Sequence, residues 1–229
     1  MTSIDVQEAA YASSRARIDA LTRDLDEATL ATTVPCCPLW SVKDLVGHLT
    51  GVMEDRHNHN LPTGGFKDWT DAQVARHRGQ PIEEVLEVWT SMPIEPQLEV
   101  PSISALAFDV VTHEHDLRHA IGAPGDHDSD SVRVGAARAA ERMASTLDAG
   151  GAPGVRVTTE DGEQLIGTGA SPIALTTTRY GLMRLVTARV SRAQAESMAW
   201  SGDAAPVLDA LFADGFFTLQ PYDVIEAES

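Results

Sequence analysis

The sequence predicts an α+β protein: a helical bundle over residues 1–149, followed by a small α/β domain over residues 155–229. Three observations carry this reading. Apolar residues recur at helical spacing through the first two thirds of the chain. The run Asp148-Ala149-Gly150-Gly151-Ala152-Pro153-Gly154 then interrupts the pattern as a linker signal. Beyond it, short β-type runs flank the turn dipeptide Asp161-Gly162.

A first helix is expected from Val6 to about Leu25. Ser41 caps a second, whose Val42, Leu45, Val46, Leu49, Val52 and Met53 fall on one face. Pro81 opens a short third, carrying Ile82, Val85, Leu86 and Trp89, and Pro93 and Pro96 end it. Ser102 caps a fourth, with Ile103, Leu106, Val110, Leu117 and Ile121, closed by Gly122. A loop over residues 123–130 leads to a last helix from about Val132 to Leu147. In the second domain VRVTT and QLIGTG form a hairpin and IALTTT a third strand. Helices are expected around residues 180–188 and 205–212. No internal repeat of 20–50 residues breaks this order.

Composition narrows the class. Of 229 residues, 43% are hydrophobic and 22% charged, so the chain can bury a real core. Lys and Arg number 17 against 34 Asp and Glu, a net charge of −17. Such a field repels phosphate backbones and anionic lipid, so neither nucleic acid nor a membrane surface is an expected partner. No segment reaches the roughly 18 apolar residues of a membrane span, and the N-terminus lacks the apolar core of a signal peptide. Cys36 and Cys37 are the only cysteines. Being adjacent they cannot staple a fold, which fits a cytoplasmic protein. They read as packed thiols. A monomer or homodimer is expected.

The histidines sort by helical geometry. His48 lies about 60° from Leu45 and about 40° from Val52, at the border of its helix's apolar stripe. His113 lies about 20° from Leu106 and about 40° from Leu117, within the stripe of the fourth helix. Asp109 is one turn before His113 on the same side. An Asp facing a core is costly unless its charge is paired, and a divalent ion would pair it while drawing in both neighbours. The pattern alone leaves a second reading open, in which Asp109 only hydrogen-bonds a neighbouring helix or holds His113. Asp44 reads as an orienting acceptor for a ligand or as an ordinary first-turn acid. His115 and His119, with Arg118 nearby, fall opposite the stripe and read as solvated surface. His57 and His59 are turned away from His48 or too far along the helix; His77 and His127 sit in polar, loop-like contexts. The Trp residues 40, 69, 89 and 200 read as core or pocket wall. The acidic run from Gly125 to Asp130 lacks EF-hand spacing, and Ser41 near His48 is no triad.

Four stretches of the sequence resemble a known family. Cys37-Pro38-x-Trp40-Ser41-Val42-x-Asp44-Leu45-Val46-x-His48-Leu49 is similar to the opening of the second helix in the mycothiol-dependent maleylpyruvate isomerase family, which belongs to the DinB-like metal-binding four-helix bundles. Asp109-Val110-Val111-Thr112-His113-x-x-Asp116-Leu117, then Ala120-Ile121-Gly122, resembles its second motif. Arg189-x-Ser191-Arg192-x-Gln194 and Trp200-Ser201-Gly202-Asp203 resemble its C-terminal domain, of sterol-carrier-like form. The resemblance implies a metal held by His48, Asp109 and His113, with Asp109 standing where the isomerase carries Glu. Leu39 replaces a usual Gly. It also implies a substrate-contacting Arg in the second domain, at Arg189 or Arg192.

Three protein ligands leave one coordination position open, as in catalytic zinc sites, with nickel or iron as alternatives. The resemblance then implies mycothiol as cofactor or co-substrate, deprotonated by the metal and directed at a small electrophile, with isomerisation or S-transfer as the outcome. Two other classes are kept: hydrolysis by metal-bound hydroxide, and ligand binding around a structural ion, neither dependent on thiol.

Overall fold

The computed structural model describes residues 4–60, 65–95, 102–170 and 173–224. Its contacts divide the chain into two compact units, residues 2–125 and 126–225.

The first unit begins with α1 (Ile4–Thr22), whose buried Ala10, Tyr11, Ser14, Ile18 and Thr22 follow the helical repeat. A single turn, α2 (Glu27–Leu30), leads into a hairpin of β1 (Thr33–Val34) and β2 (Cys37–Ser41). There follow α3 (Val42–His57), α4 (Phe66–His77), α5 (Ile82–Ser91) and α6 (Ile103–Ala120). Helix α1 packs on α5 and α6, and α3 packs on the same two, so these four close a bundle; α4 lies against α3 from outside. Trp89 is wholly buried, and its indole N–H donates to the Tyr11 hydroxyl at 2.8 Å. Burial pushes the Tyr11 phenol well above its ordinary range.

The expected helix starts hold. Ser41 accepts from the Asp44 N–H and Asp44 from the Ser41 N–H, a complete capping box, and Ser102 accepts from the Ala105 N–H. Gly122 takes φ 66° just past α6, the left-handed stop its position implied. Helix α4 was not foreseen, because its buried face is Thr70, Gln73, Val74 and His77, only one of them apolar. Pro93 follows the end of α5; Pro96 lies outside the described residues.

In the second unit, α7 (Asp130–Ala149) packs on a sheet of order β4-β3-β5-β6 and on its helices. The strands are β3 (Val155–Thr159), β4 (Gly162–Ile166), β5 (Ile173–Thr176) and β6 (Ala199–Ser201); β3 and β5 run parallel, and the other pairs are antiparallel. The helices are α8 (Arg179–Val186), α9 (Arg192–Ser197) and α10 (Ala205–Leu211). The hairpin turn is displaced by one residue from the expected dipeptide. Thr159 pairs with Gly162, leaving Glu160-Asp161 as the loop, and Gly162 takes φ 102°. Helix α9 and strand β6 had no clear periodic signal.

The division before α7 differs from the expected boundary after residue 149. Helix α7 lies against α8, α10 and β4, burying Val132, Ala139, Met143 and Leu147. The Gly/Pro run is a fixed turn rather than a linker: the Ala152 N–H returns to the Leu147 carbonyl, and the Asp148 carboxylate accepts from the Thr168 N–H and hydroxyl. Among the described residues no helix is long and apolar enough to cross a membrane.

Candidate metal centre

Two helices of the bundle supply the three candidate ligands. The capping box fixes the first turn of α3 and sets His48 two turns in, where it is 2% exposed. Helix α6 carries Asp109 and His113 one turn apart, with His113 6% exposed. Because α3 packs on α6, the sets meet. His48 Nε2 lies 3.6 Å from Asp109 Oδ2, and His113 Nε2 lies 3.5 Å from Asp109 Oδ1. The rings meet edge to face, 5.3 Å between centroids. The Trp40 ring stands 4.8 Å from His48 and 6.0 Å from His113, so β2 provides an aromatic wall. The Asp109 side chain is one third exposed, so that side of the cluster meets solvent.

The donor set passes a test of fit for a metal ion. One ligand atom from each of His48, Asp109 and His113 lies within 4.8 Å of the others. Nitrogen-to-oxygen separations of 3.5 and 3.6 Å are long for hydrogen bonds. Each is near the roughly 3.4 Å between two ligand atoms of a tetrahedral site with bonds of about 2.0–2.1 Å, and the two histidines face different oxygens of Asp109. The remaining ring nitrogens are taken: His48 Nδ1 lies 2.9 Å from Gln73 Oε1, and His113 Nδ1 lies 3.0 Å from Asp116 Oδ2. Both partners are oxygens, and each ring turns its Nε2 toward Asp109.

Other expectations fare differently. Asp44 does not orient a histidine; it closes the capping box and pairs with Arg78 at 3.0 Å. Burial alone would raise its carboxyl, but the Arg78 guanidinium and the Ser41 N–H outweigh that and hold it below its ordinary value. His115 is not solvated surface. It is 1% exposed, because α1, α3 and the β1 strand surround α6 and bury every residue from Val110 to Arg118. His77 is likewise buried, on α4, between Glu54 at 3.0 Å and Gln80 at 2.8 Å. Cys36 is buried, and Cys37 sits close enough to His113 and Asp116 to form a second donor group with them, a proximity that two adjacent cysteines do not announce.

Both arginines belong to the second unit. Arg192 opens α9, is 40% exposed, and donates to Glu196 and Asp209 at 2.6 Å each; those carboxylates raise its pKa. Arg189 is 9% exposed, donates to the Thr187 carbonyl at 2.7 Å and lies 6.0 Å from the Phe217 ring centre. Sequence reasoning missed the two acceptors that fix the histidines. Asp116 was within reach, three residues after His113 on one helix. Gln73 was not, since its helix went unread.

Comparisons with known proteins match one segment in sequence and most of the chain in fold. Residues 11–58, which include the hairpin, the capping box and His48, match the model of the mycothiol maleylpyruvate isomerase N-terminal domain. No curated protein matches the chain by sequence. Two crystal structures of the mycothiol-dependent maleylpyruvate isomerase, one of a histidine-to-alanine mutant, share the fold at a TM-score of 0.60. Each is 11% identical and covers 87% of this chain and 93% of its own. One segment is thus similar in sequence to the mycothiol maleylpyruvate isomerase N-terminal domain, and most of the chain shares the fold of the mycothiol-dependent maleylpyruvate isomerase.

Proposed function

We propose that the protein is a metal-dependent enzyme that uses a low-molecular-weight thiol, mycothiol, to isomerise or conjugate a small electrophile. One observation carries the reading: two buried histidines turn Nε2 toward both oxygens of a half-buried carboxylate, on the side that stays accessible. His48, Asp109 and His113 would hold a divalent ion, and zinc suits this nitrogen and oxygen set best. Such an ion supplies a positive charge that keeps a thiol as thiolate near neutral pH, where a free thiol is mostly protonated.

The chain's own residues prepare this. Gln73 and Asp116 face the two Nδ1 atoms, which leaves each Nε2 directed at the place the ion would take. Trp40 flanks the rings and excludes water from one side. In the isomerase outcome the thiol sulfur adds to an electrophilic carbon, the adduct turns about the former double bond, and the same sulfur is expelled. In the transferase outcome the adduct is the product. Arg189 or Arg192 would bind a substrate carboxylate.

Metal analysis and a thiol-dependence assay on one preparation test this. One ion per chain is expected, lost in His48→Ala and His113→Ala, with turnover only when thiol is added. Arg189→Ala and Arg192→Ala should each keep the metal, and at least one should lose turnover. Metal retained in both histidine variants overturns the site, and turnover without thiol moves the reading to metal-hydroxide chemistry.

A further inference from the structure

The metal reading gives His48 a task but does not say what keeps its ring in the required protonation state. The answer lies on α4, a helix that contributes no ligand. Gln73 is wholly buried there, and its amide is used at both ends: Oε1 faces His48 Nδ1 at 2.9 Å, and Nε2 donates to Asp55 Oδ2 at 2.7 Å. Asp55 is 2% exposed and accepts from Asn60 Nδ2 at 2.8 Å and from Arg76 at 2.7 Å. With N–H donors from Gln73, Asn60 and Arg76 on its two oxygens, this carboxylate serves as the acceptor in every one of these bonds.

The chain of hydrogen bonds therefore has one consistent direction. Asp55 must receive the amide N–H₂ of Gln73, which forbids the flipped amide. The amide oxygen is then left for His48, and an oxygen can only accept, so the His48 proton sits on Nδ1. Flipping Gln73 would set its N–H₂ against the ring and leave a buried carboxylate oxygen unmatched, a cost of the kind that buried polar groups avoid. The other histidine is treated differently: His113 meets the Asp116 carboxylate directly, without an intervening amide.

Close packing delivers Gln73 to this position. A Cβ on Gly51 of α3 would fall 2.6 Å from Gln73 Cβ and 3.0 Å from its Cα, so only glycine lets α4 come this near. One turn earlier, Gly47 leaves room for His77 in the same way, with 3.1 Å to its Cβ. The two glycines and His48 lie on one helix, so the same stretch of α3 supplies the ligand and admits the residue that orients it.

We propose that Gln73 is a positioning residue for the metal centre: through the Asp55–Gln73–His48 chain it holds the His48 proton on Nδ1 and keeps Nε2 as a donor. The proposal rests on the metal reading for its purpose, but the tautomer itself is tested in the metal-free protein. Ring-nitrogen NMR of metal-free wild type should show both His48 and His113 protonated on Nδ1. In Gln73→Leu the His48 signal should lose this single form while His113 keeps it. Cobalt(II) affinity, read by chelator competition, should fall about 10–100-fold in Gln73→Leu. A wild-type His48 protonated on Nε2 overturns the proposal, as does a Gln73→Leu variant within twofold of wild type in cobalt affinity. Wild type that binds no cobalt refutes the metal reading instead, and the tautomer spectrum then decides the role of Gln73 alone.

Discussion

Asp109 and Glu114 sit five residues apart on α6, and their surroundings give them opposite tasks. Glu114 is wholly buried and bonded to Arg17 at 2.7 and 2.8 Å and to Arg118 at 3.0 Å. Removing it leaves guanidinium charge without its partner, so Glu114→Ala should cost about 3–5 kcal/mol. Asp109 is one third exposed, and its contacts to the two histidines are long, at 3.6 and 3.5 Å. In the metal-free protein Asp109→Asn should therefore change stability by no more than about 0.5 kcal/mol, yet it should abolish tight metal binding. Urea unfolding of the metal-free forms, set beside elemental analysis, checks both halves; equal costs for the two acids would refute the distinction. The sequence shows Asp109 and His113 because helical spacing puts them on the apolar stripe. It does not show that Glu114 and His115 are buried, since a helix surrounded on all sides has no solvent face for the pattern to mark.

At the scale of elements, caps and apolar repeats were legible in α1, α3, α5 and α6, and these are the helices of the bundle. Helix α4 was not, because its inner face pairs polar groups with glycines, a contact that carries no hydrophobic period. That contact makes a sharp expectation. Gly51→Ala gains about 1 kcal/mol of helix propensity, but its methyl group meets the Cβ and Cα of Gln73, atoms that cannot swing aside. Overpacking of this kind costs about 1–3 kcal/mol, so net destabilisation with weakened cobalt binding is expected; Gly47→Ala, with 3.1 Å to give, should be milder. The start of α3 gives a pH signature. Asp44 is held below its ordinary value when folded, so its contribution is complete above about pH 4 and is lost as pH falls through the folded value. Asp44→Asn should lower stability by about 1 kcal/mol or less at pH 6. That gap should close in urea titrations run below pH 4, and a gap that widens in acid would contradict the assignment.

For the whole molecule, the Gly/Pro run at residues 148–154 offered the strongest break in the sequence, yet the chain divides at 125/126. Glycine and proline mark a turn, and a turn held by Asp148 to Thr168 is not a hinge. What decides domain membership is where a helix buries its stripe, and α7 buries Met143 and Leu147 among elements that follow it. All three candidate ligands, with Gln73, Asp55 and Asp116, precede residue 126. A fragment of residues 1–125 is therefore expected to fold and to bind cobalt with near wild-type affinity. A fragment of residues 1–149 would carry α7 without α8, α10 and β4, exposing side chains worth roughly 1.5–3 kcal/mol each when fully buried. It should aggregate, or show α7 unprotected in hydrogen exchange. Gel filtration, exchange mass spectrometry and chelator competition on the two fragments distinguish the boundaries. A monodisperse 1–149 fragment with α7 protected, beside an unfolded 1–125 fragment, would place α7 in the bundle after all.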